Sequence, residues 1–167
     1  NNWAGKRGGS KKRKAQKELK SLKEARGLIQ NLSYKEKLIL LSALYWGEGS
    51  KKDFGLSNTD PNLIRVFIAC LKDVFKIDKA KLRVSIRIYE DLDKEKCLDF
   101  WSKVTGIQKE SFINVNILPG KKKGKLEYGM CRVRVLKGGD FLKKIVSINK
   151  VVTNLIVPIA QMDRAAH

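Results

Sequence analysis

The stretch Lys81-Leu82-Arg83-Val84-Ser85-Ile86-Arg87-Ile88-Tyr89-Glu90 alternates aliphatic and polar side chains without a break. Successive strand residues point to opposite sides of a sheet, so this spacing predicts a β-strand with one apolar and one polar face. On both sides of it the pattern changes to the helical period. Upstream, Thr59-Asp60-Pro61 reads as a cap and first helical residue, and Leu63, Phe67, Leu71 and Val74 form one stripe to about Phe75. Downstream, Asp91-Leu92-Asp93 opens a helix that buries Cys97, Trp101 and Val104 and stops at Gly106. Two further strands are expected, Phe112 to Leu118 and Glu127 to Leu136, joined as a hairpin by the basic tip Pro119-Gly120-Lys121-Lys122-Lys123-Gly124-Lys125. A last helix runs from about Gly139 to about Leu155. Near the start, Ser33-Tyr34-Lys35-Glu36 has a capping-box pattern and precedes an apolar helix that ends at Gly47-Glu48-Gly49, and a short strand follows from Asp53 to Asn58. The order predicts an α+β fold, a small antiparallel sheet with helices on one face.

Alternation sorts the strand residues. Phe54, Leu56, Leu82, Val84, Ile86, Ile88, Ile113, Val115, Ile117, Val133 and Val135 fall on the core side. Arg83, Ser85, Arg87, Tyr89, Asn114, Asn116, Tyr128, Arg132 and Arg134 fall on the other. Four arginines with no acid among them suit a polyanion, and Arg, Asn and Tyr hydrogen-bond base edges and phosphates. A solvated face with its acids elsewhere is the plainer reading.

Composition points the same way. The 167 residues carry 36 Lys+Arg against 17 Asp+Glu, a net charge of +19, with 43% hydrophobic residues. The aliphatic content sets the chain apart from disordered basic tails, and the charge suits DNA, RNA or, less often, an anionic membrane surface. Residues 1–32 are expected to be a basic arm, flexible to about Lys14, followed by a linker helix. No apolar run reaches the length of a membrane span and no signal peptide is recognisable, so a soluble cytoplasmic product is expected. Cys70, Cys97 and Cys131 read as reduced core thiols, and the only histidine, His167, leaves no His-based triad or His-rich zinc site. Gly120-Lys121-Lys122-Lys123-Gly124-Lys125 is not a phosphate-binding P-loop: it lacks one intervening residue and the Ser/Thr, and it does not open a helix. Contact with a nucleic-acid backbone through Lys121, Lys122, Lys123 and Lys125 is the expected use, with a solvated turn as the alternative.

One carboxylate is out of place. Glu48 stands between two glycines at the C-terminal end of an apolar helix, where the macrodipole disfavours an acid. A divalent cation held by the carboxylate and a nearby carbonyl would compensate it, and Mg²⁺ takes few protein ligands. A loop Glu paired with Lys51 or Lys52 is the other reading.

Leu41-Ser42-Ala43-Leu44-Tyr45-Trp46-Gly47-Glu48-Gly49 resembles the nine-residue signature of LAGLIDADG homing endonucleases in its L-x-x-L-x-x-G-E-G variant. Trp46 stands where that family usually has an acid. More narrowly, Tyr45 to Lys51, Ser57 to Pro61 and Cys131 to Val135 resemble a group of uncharacterised bacterial LAGLIDADG-like proteins that often carry an upstream helix-turn-helix. The resemblance implies a homing-endonuclease-like domain over residues 33–156, with the sheet as a basic saddle on double-stranded DNA. It further implies a homodimer through Leu41, Ser42, Leu44 and Tyr45, and Mg²⁺ held by Glu48 and the Gly47 carbonyl. Catalysis would fall to Glu48, with Lys51, Arg87 or Arg134 stabilising charge on the phosphate. The chain is then expected to be the C-terminal part of a longer product, with no small-molecule substrate and no membrane partner. The tail, 157–167, contains Ile159-Ala160-Gln161-Met162-Asp163-Arg164-Ala165, which resembles peptides read from tRNA genes and suits a mobile element. A non-catalytic DNA-binding regulator with the same fold, and an RNA-binding or RNA-maturation protein, stay open as alternatives.

Overall fold

The computed structural model describes residues 4–157, with side chains from residue 9 onward. The chain divides into two units, one ending at Ser33 and one beginning at Tyr34. The first holds α1 (Ala4–Leu28), a single helix that already covers the stretch to Lys14 expected to be flexible. Its Lys, Arg, Ala, Gln and Glu residues are strong helix formers, and summed over the window they outweigh the glycines. Lys14–Glu18 and Lys20–Glu24 lie at (i, i+4) at 3.9 and 3.8 Å, well out in solvent. Within its own unit α1 shows no buried stripe; Leu19 is 69% exposed.

The second unit runs α2 (Tyr34–Glu48), β1 (Gly55–Asn58), α3 (Pro61–Phe75), β2 (Leu82–Tyr89), α4 (Lys94–Thr105), β3 (Asn114–Leu118), β4 (Met130–Val135) and α5 (Gly139–Ile156). Asp60 caps α3 by accepting from the Asn62 N–H, Asp93 caps α4 through Lys96, and α4 ends at Gly106 with φ 65°. The sheet is mixed, in the order β1-β4-β2-β3. β4 lies antiparallel between β1 and β2, while β3 runs parallel to β2 on the far edge.

Two sequence expectations are corrected here. The sheet is not wholly antiparallel, because α4 carries the chain back across the sheet between β2 and β3 and so sets them side by side in parallel. Nor do β3 and β4 form a hairpin: β2 separates them, and the basic segment 119–129 is a connection that passes the end of β2.

The core fills the helix-side face. Leu56, Val84, Ile86, Ile88, Cys131 and Val133 are at most 2% exposed, as are Leu41, Ile64, Phe67, Trp101 and Ile145 from the helices. Each large aliphatic or aromatic side chain buried this fully contributes roughly 1.5–3 kcal/mol. Phe54 sits in an aromatic cluster, with Tyr45, Phe67, Phe75 and Phe141 at centroid distances of 5.5 to 6.3 Å. It thereby ties α2, α3 and α5 to the entrance of β1. The three cysteines are buried and free, and burial pushes the Cys131 thiol up to about 12. Core cover thins toward β3, where Ile113 and Ile117 are about half exposed, at 49% and 53%. No helix among the described residues is long and apolar enough to cross a membrane.

Candidate nucleic-acid interface

The register lays out the open face of the sheet row by row. Gly55, Arg134 and Arg83 form one row, and Ser57, Arg132, Ser85 and Asn114 the next. A third holds Met130, Arg87 and Asn116, and Tyr89 closes the face opposite Leu118. Arg83, Ser85, Arg87, Tyr89, Asn114, Asn116, Arg132 and Arg134 thus share one face, as the alternation predicts. In its middle, Ser57, Ser85, Arg87, Asn114, Asn116 and Arg132 line a hollow of about 160 Å³. Every one of these six can donate a hydrogen bond, and the Ser and Asn oxygens can also accept, which is the equipment needed for base edges and phosphates.

Two arginines are already oriented. Arg83 Nη1 donates to the Ala80 and Leu82 carbonyls at 2.8 and 3.0 Å, which draws its guanidinium toward the strand's entrance. Arg132 Nη2 donates to Asp53 Oδ2 at 2.6 Å, and Asp53 Oδ1 is buried without a hydrogen-bond partner. Asp53 therefore places an acid against a face whose strands carry none. Alternation could not reveal it, since Asp53 precedes β1 and its partner is 79 positions away. Ser57, opposite Arg132, also belongs to the face and is missing from the sequence expectation, although its place next to Leu56 in the alternation is the signal that could have found it.

Tyr128 does not belong there, contrary to expectation. It precedes β4, its ring stacks on Phe100 at 3.7 Å, and its carbonyl accepts from Trp101 Nε1 at 2.6 Å. The strand starts two residues later because Gly129, at φ 65°, turns the chain beside β2, where a Cβ would come within 2.3 Å of the Arg87 carbonyl. Lys121, Lys122, Lys123 and Lys125 are all exposed in the 119–129 connection.

Glu48 ends α2 beside the β1 edge of the sheet. The next residue, Gly49, makes an antiparallel bridge to Leu56, and Ser50 N–H donates to the Gly55 carbonyl at 2.8 Å. Tyr45 fixes this corner by donating from its hydroxyl to the Ser50 and Asp53 carbonyls. Only glycine fits at position 49, because a Cβ would lie 2.2 Å from the Tyr45 carbonyl. Glu48 itself is exposed and, among the described residues, enters none of the ion pairs, so the pairing with Lys51 or Lys52 is not formed. Lys51 is exposed in the same corner, and Arg134 lies one strand in, opposite Gly55. Arg87 sits two strands in, on a row past the end of β1, and the register groups it with Asn116 instead.

No cluster of three or more His, Cys, Asp or Glu exists among the described residues. At the end of α2 stand the exposed Glu48 carboxylate and the carbonyl of Gly47, its neighbour in sequence. Both are oxygen donors, the kind that Mg²⁺ accepts.

The expected dimer surface is corrected by burial. Leu41, Ser42 and Tyr45 are 0%, 1% and 7% exposed within the chain, and Leu44 is half-buried. Ser42 Oγ is engaged by α5, donating to Asn149 Oδ1 at 2.5 Å. The helix is apolar nearly all round, so sequence could not say which stripe faces its own core. The stripe left outside is Ile39, Ala43 and Trp46, spaced i, i+4, i+7, with Ile39 44% and Trp46 61% exposed.

No family model, no curated protein and no solved structure matches the chain.

Proposed function

We propose that this chain is a LAGLIDADG-type protein that binds double-stranded DNA as a homodimer and hydrolyses it with a divalent cation. The observation that carries the reading is the open sheet face, which carries four arginines, two of which, Arg87 and Arg132, line a hollow with Ser and Asn side chains, and an exposed carboxylate at the end of α2 beside the β1 edge. Each sheet would lie against one half-site of a pseudo-palindrome, with Arg87, Arg132, Asn114 and Asn116 toward the bases. The α2 stripe of Ile39, Ala43 and Trp46 would pack on its twin and bring two Glu48 carboxylates to one axis. Glu48 and the Gly47 carbonyl of each chain would hold Mg²⁺, which when bound activates water and stabilises the leaving oxygen. Lys51, in the corner at the β1 edge, and Arg134, one strand in, would neutralise charge gathering on the phosphate.

The test is incubation with a randomised duplex library in Mg²⁺, comparing wild type with Glu48→Gln. Cleavage by wild type and its loss in the variant are expected, with duplex binding retained in both. Cleavage by neither protein sinks the nuclease assignment. Binding without nicking then identifies a regulator that uses the same face, and tighter capture of structured RNA than of duplex DNA identifies an RNA-binding protein.

A further inference from the structure

The 119–129 connection is rich in Gly and Lys, a composition that favours a loose loop, yet its backbone is held along its length. It leaves β3 at Leu118, must pass the end of β2, and there meets Glu90 and Asp91. Glu90 Oε1 accepts from the Gly120 N–H at 3.1 Å. Asp91 Oδ2 accepts from two consecutive N–H groups, Lys122 at 2.8 Å and Lys123 at 2.9 Å. Beyond that point Leu126 N–H donates to the Lys122 carbonyl at 2.8 Å, and Tyr128 is pinned to α4 by Trp101 and Phe100. The connection also leans on the open face, because Lys122 Nζ lies 5.6 Å from the centroid of the Tyr89 ring.

Two acids in a strongly basic chain thus spend their carboxylates on backbone N–H groups and leave the neighbouring ammonium groups in solvent. We propose that Glu90 and Asp91 are positioning residues that lock the 119–129 connection as a clamp for a duplex phosphate backbone, presenting Lys121, Lys122, Lys123 and Lys125 at the β2–β3 end of the open sheet face. This rests on the duplex-binding part of the proposed function and is independent of cleavage. Lysines are compact point charges without the fork that reads a base edge, so they suit phosphates. Holding their backbone in advance removes ordering entropy that a free loop loses on binding.

The sign of one substitution separates this from simple charge balance. Removing an acid beside a polyanion strengthens binding if the acid acts only through its charge. A lock predicts the reverse. The experiment titrates a random-sequence duplex over a range of KCl with wild type, Asp91→Ala, Asp91→Asn and a Lys121/Lys122/Lys123/Lys125→Ala variant, each checked by circular dichroism for an intact fold. Asp91→Ala is expected to bind about tenfold more weakly, and its salt slope to fall by up to about 0.9 for each lysine that no longer reaches a phosphate. Asp91→Asn, which keeps an acceptor oxygen, recovers part of the affinity. The lysine variant shows the same drop in slope, and amide exchange at Lys122 and Lys123 accelerates in Asp91→Ala. Equal or tighter binding by Asp91→Ala with an unchanged slope overturns the clamp and leaves the nuclease assignment standing. Wild type that binds no duplex at all overturns both, whereas binding without cleavage touches only the nuclease.

Discussion

At the scale of single residues, the side chains that organise the open face are acids and aromatics outside the strands. Asp53 aims Arg132, Asp91 holds a backbone segment, and Trp101 holds the Tyr128 carbonyl, through hydrogen bonds spanning 79, 31 and 27 positions of sequence. None has a local pattern, because a hydrogen bond between distant residues leaves no period in either segment. The strand residues are different, since their faces follow from alternation alone; hence Arg83, Ser85, Arg87, Asn114, Asn116, Arg132 and Arg134 were legible and Asp53 was not. Trp101→Phe keeps most of the buried volume but orphans the Tyr128 carbonyl, so unfolding by urea should show a destabilisation of about 1–3 kcal/mol. Cys70, Cys97 and Cys131 are all buried, and burial raises each thiol's pKa. An aromatic disulfide reagent at pH 8 is therefore expected to label none of them natively and all three in denaturant.

At the scale of elements, α2 shows where periodicity fails. A helix apolar on every side can bury any stripe, and the choice depends on the elements that dock against it. Here α3 and α5 take the Leu41 and Tyr45 side and leave Ile39, Ala43 and Trp46 outside. The two stripes should respond oppositely to substitution. Leu41→Ala is expected to cost roughly 2–5 kcal/mol in a denaturant titration, as deletion of a fully buried side chain does. Ile39→Glu with Trp46→Glu should leave the melting temperature nearly unchanged while shifting sedimentation from dimer to monomer; a species that is monomeric before substitution removes the dimer from the proposed function. The β3–β4 pairing fails for another reason. Strands adjacent in sequence usually pair, but the long connection here carries β4 past β2 into the middle of the sheet.

At the scale of the whole molecule, the charge of +19 is arranged with some economy of acids. Several carboxylates sit on backbone N–H groups or on single partners, as in Asp73 with Lys37 at 2.6 Å. The Asp73 carboxyl lies below its ordinary value because of Lys37, and that of Asp91 because of the Lys123 N–H. Groups depressed in the folded state contribute stability that is fully present above the ordinary carboxylate range and is lost as pH falls through the folded values. The melting temperature should therefore hold from neutral pH to about pH 5 and then decline, and Asp73→Asn should flatten that decline. A decline of equal steepness in the variant would remove Asp73 from the explanation.

The place of β4 carries a consequence in time. Among the described residues it is the last strand in chain order, yet it stands between β1 and β2, and it is the strand through which β1 joins the sheet. A ribosome that has delivered the first three strands has delivered a sheet with its middle missing. β2 and β3 can pair before β4 exists, but β1 can join them only after Val135 has emerged, so the row of Gly55, Arg134 and Arg83 closes after the row of Arg87 and Asn116 has begun.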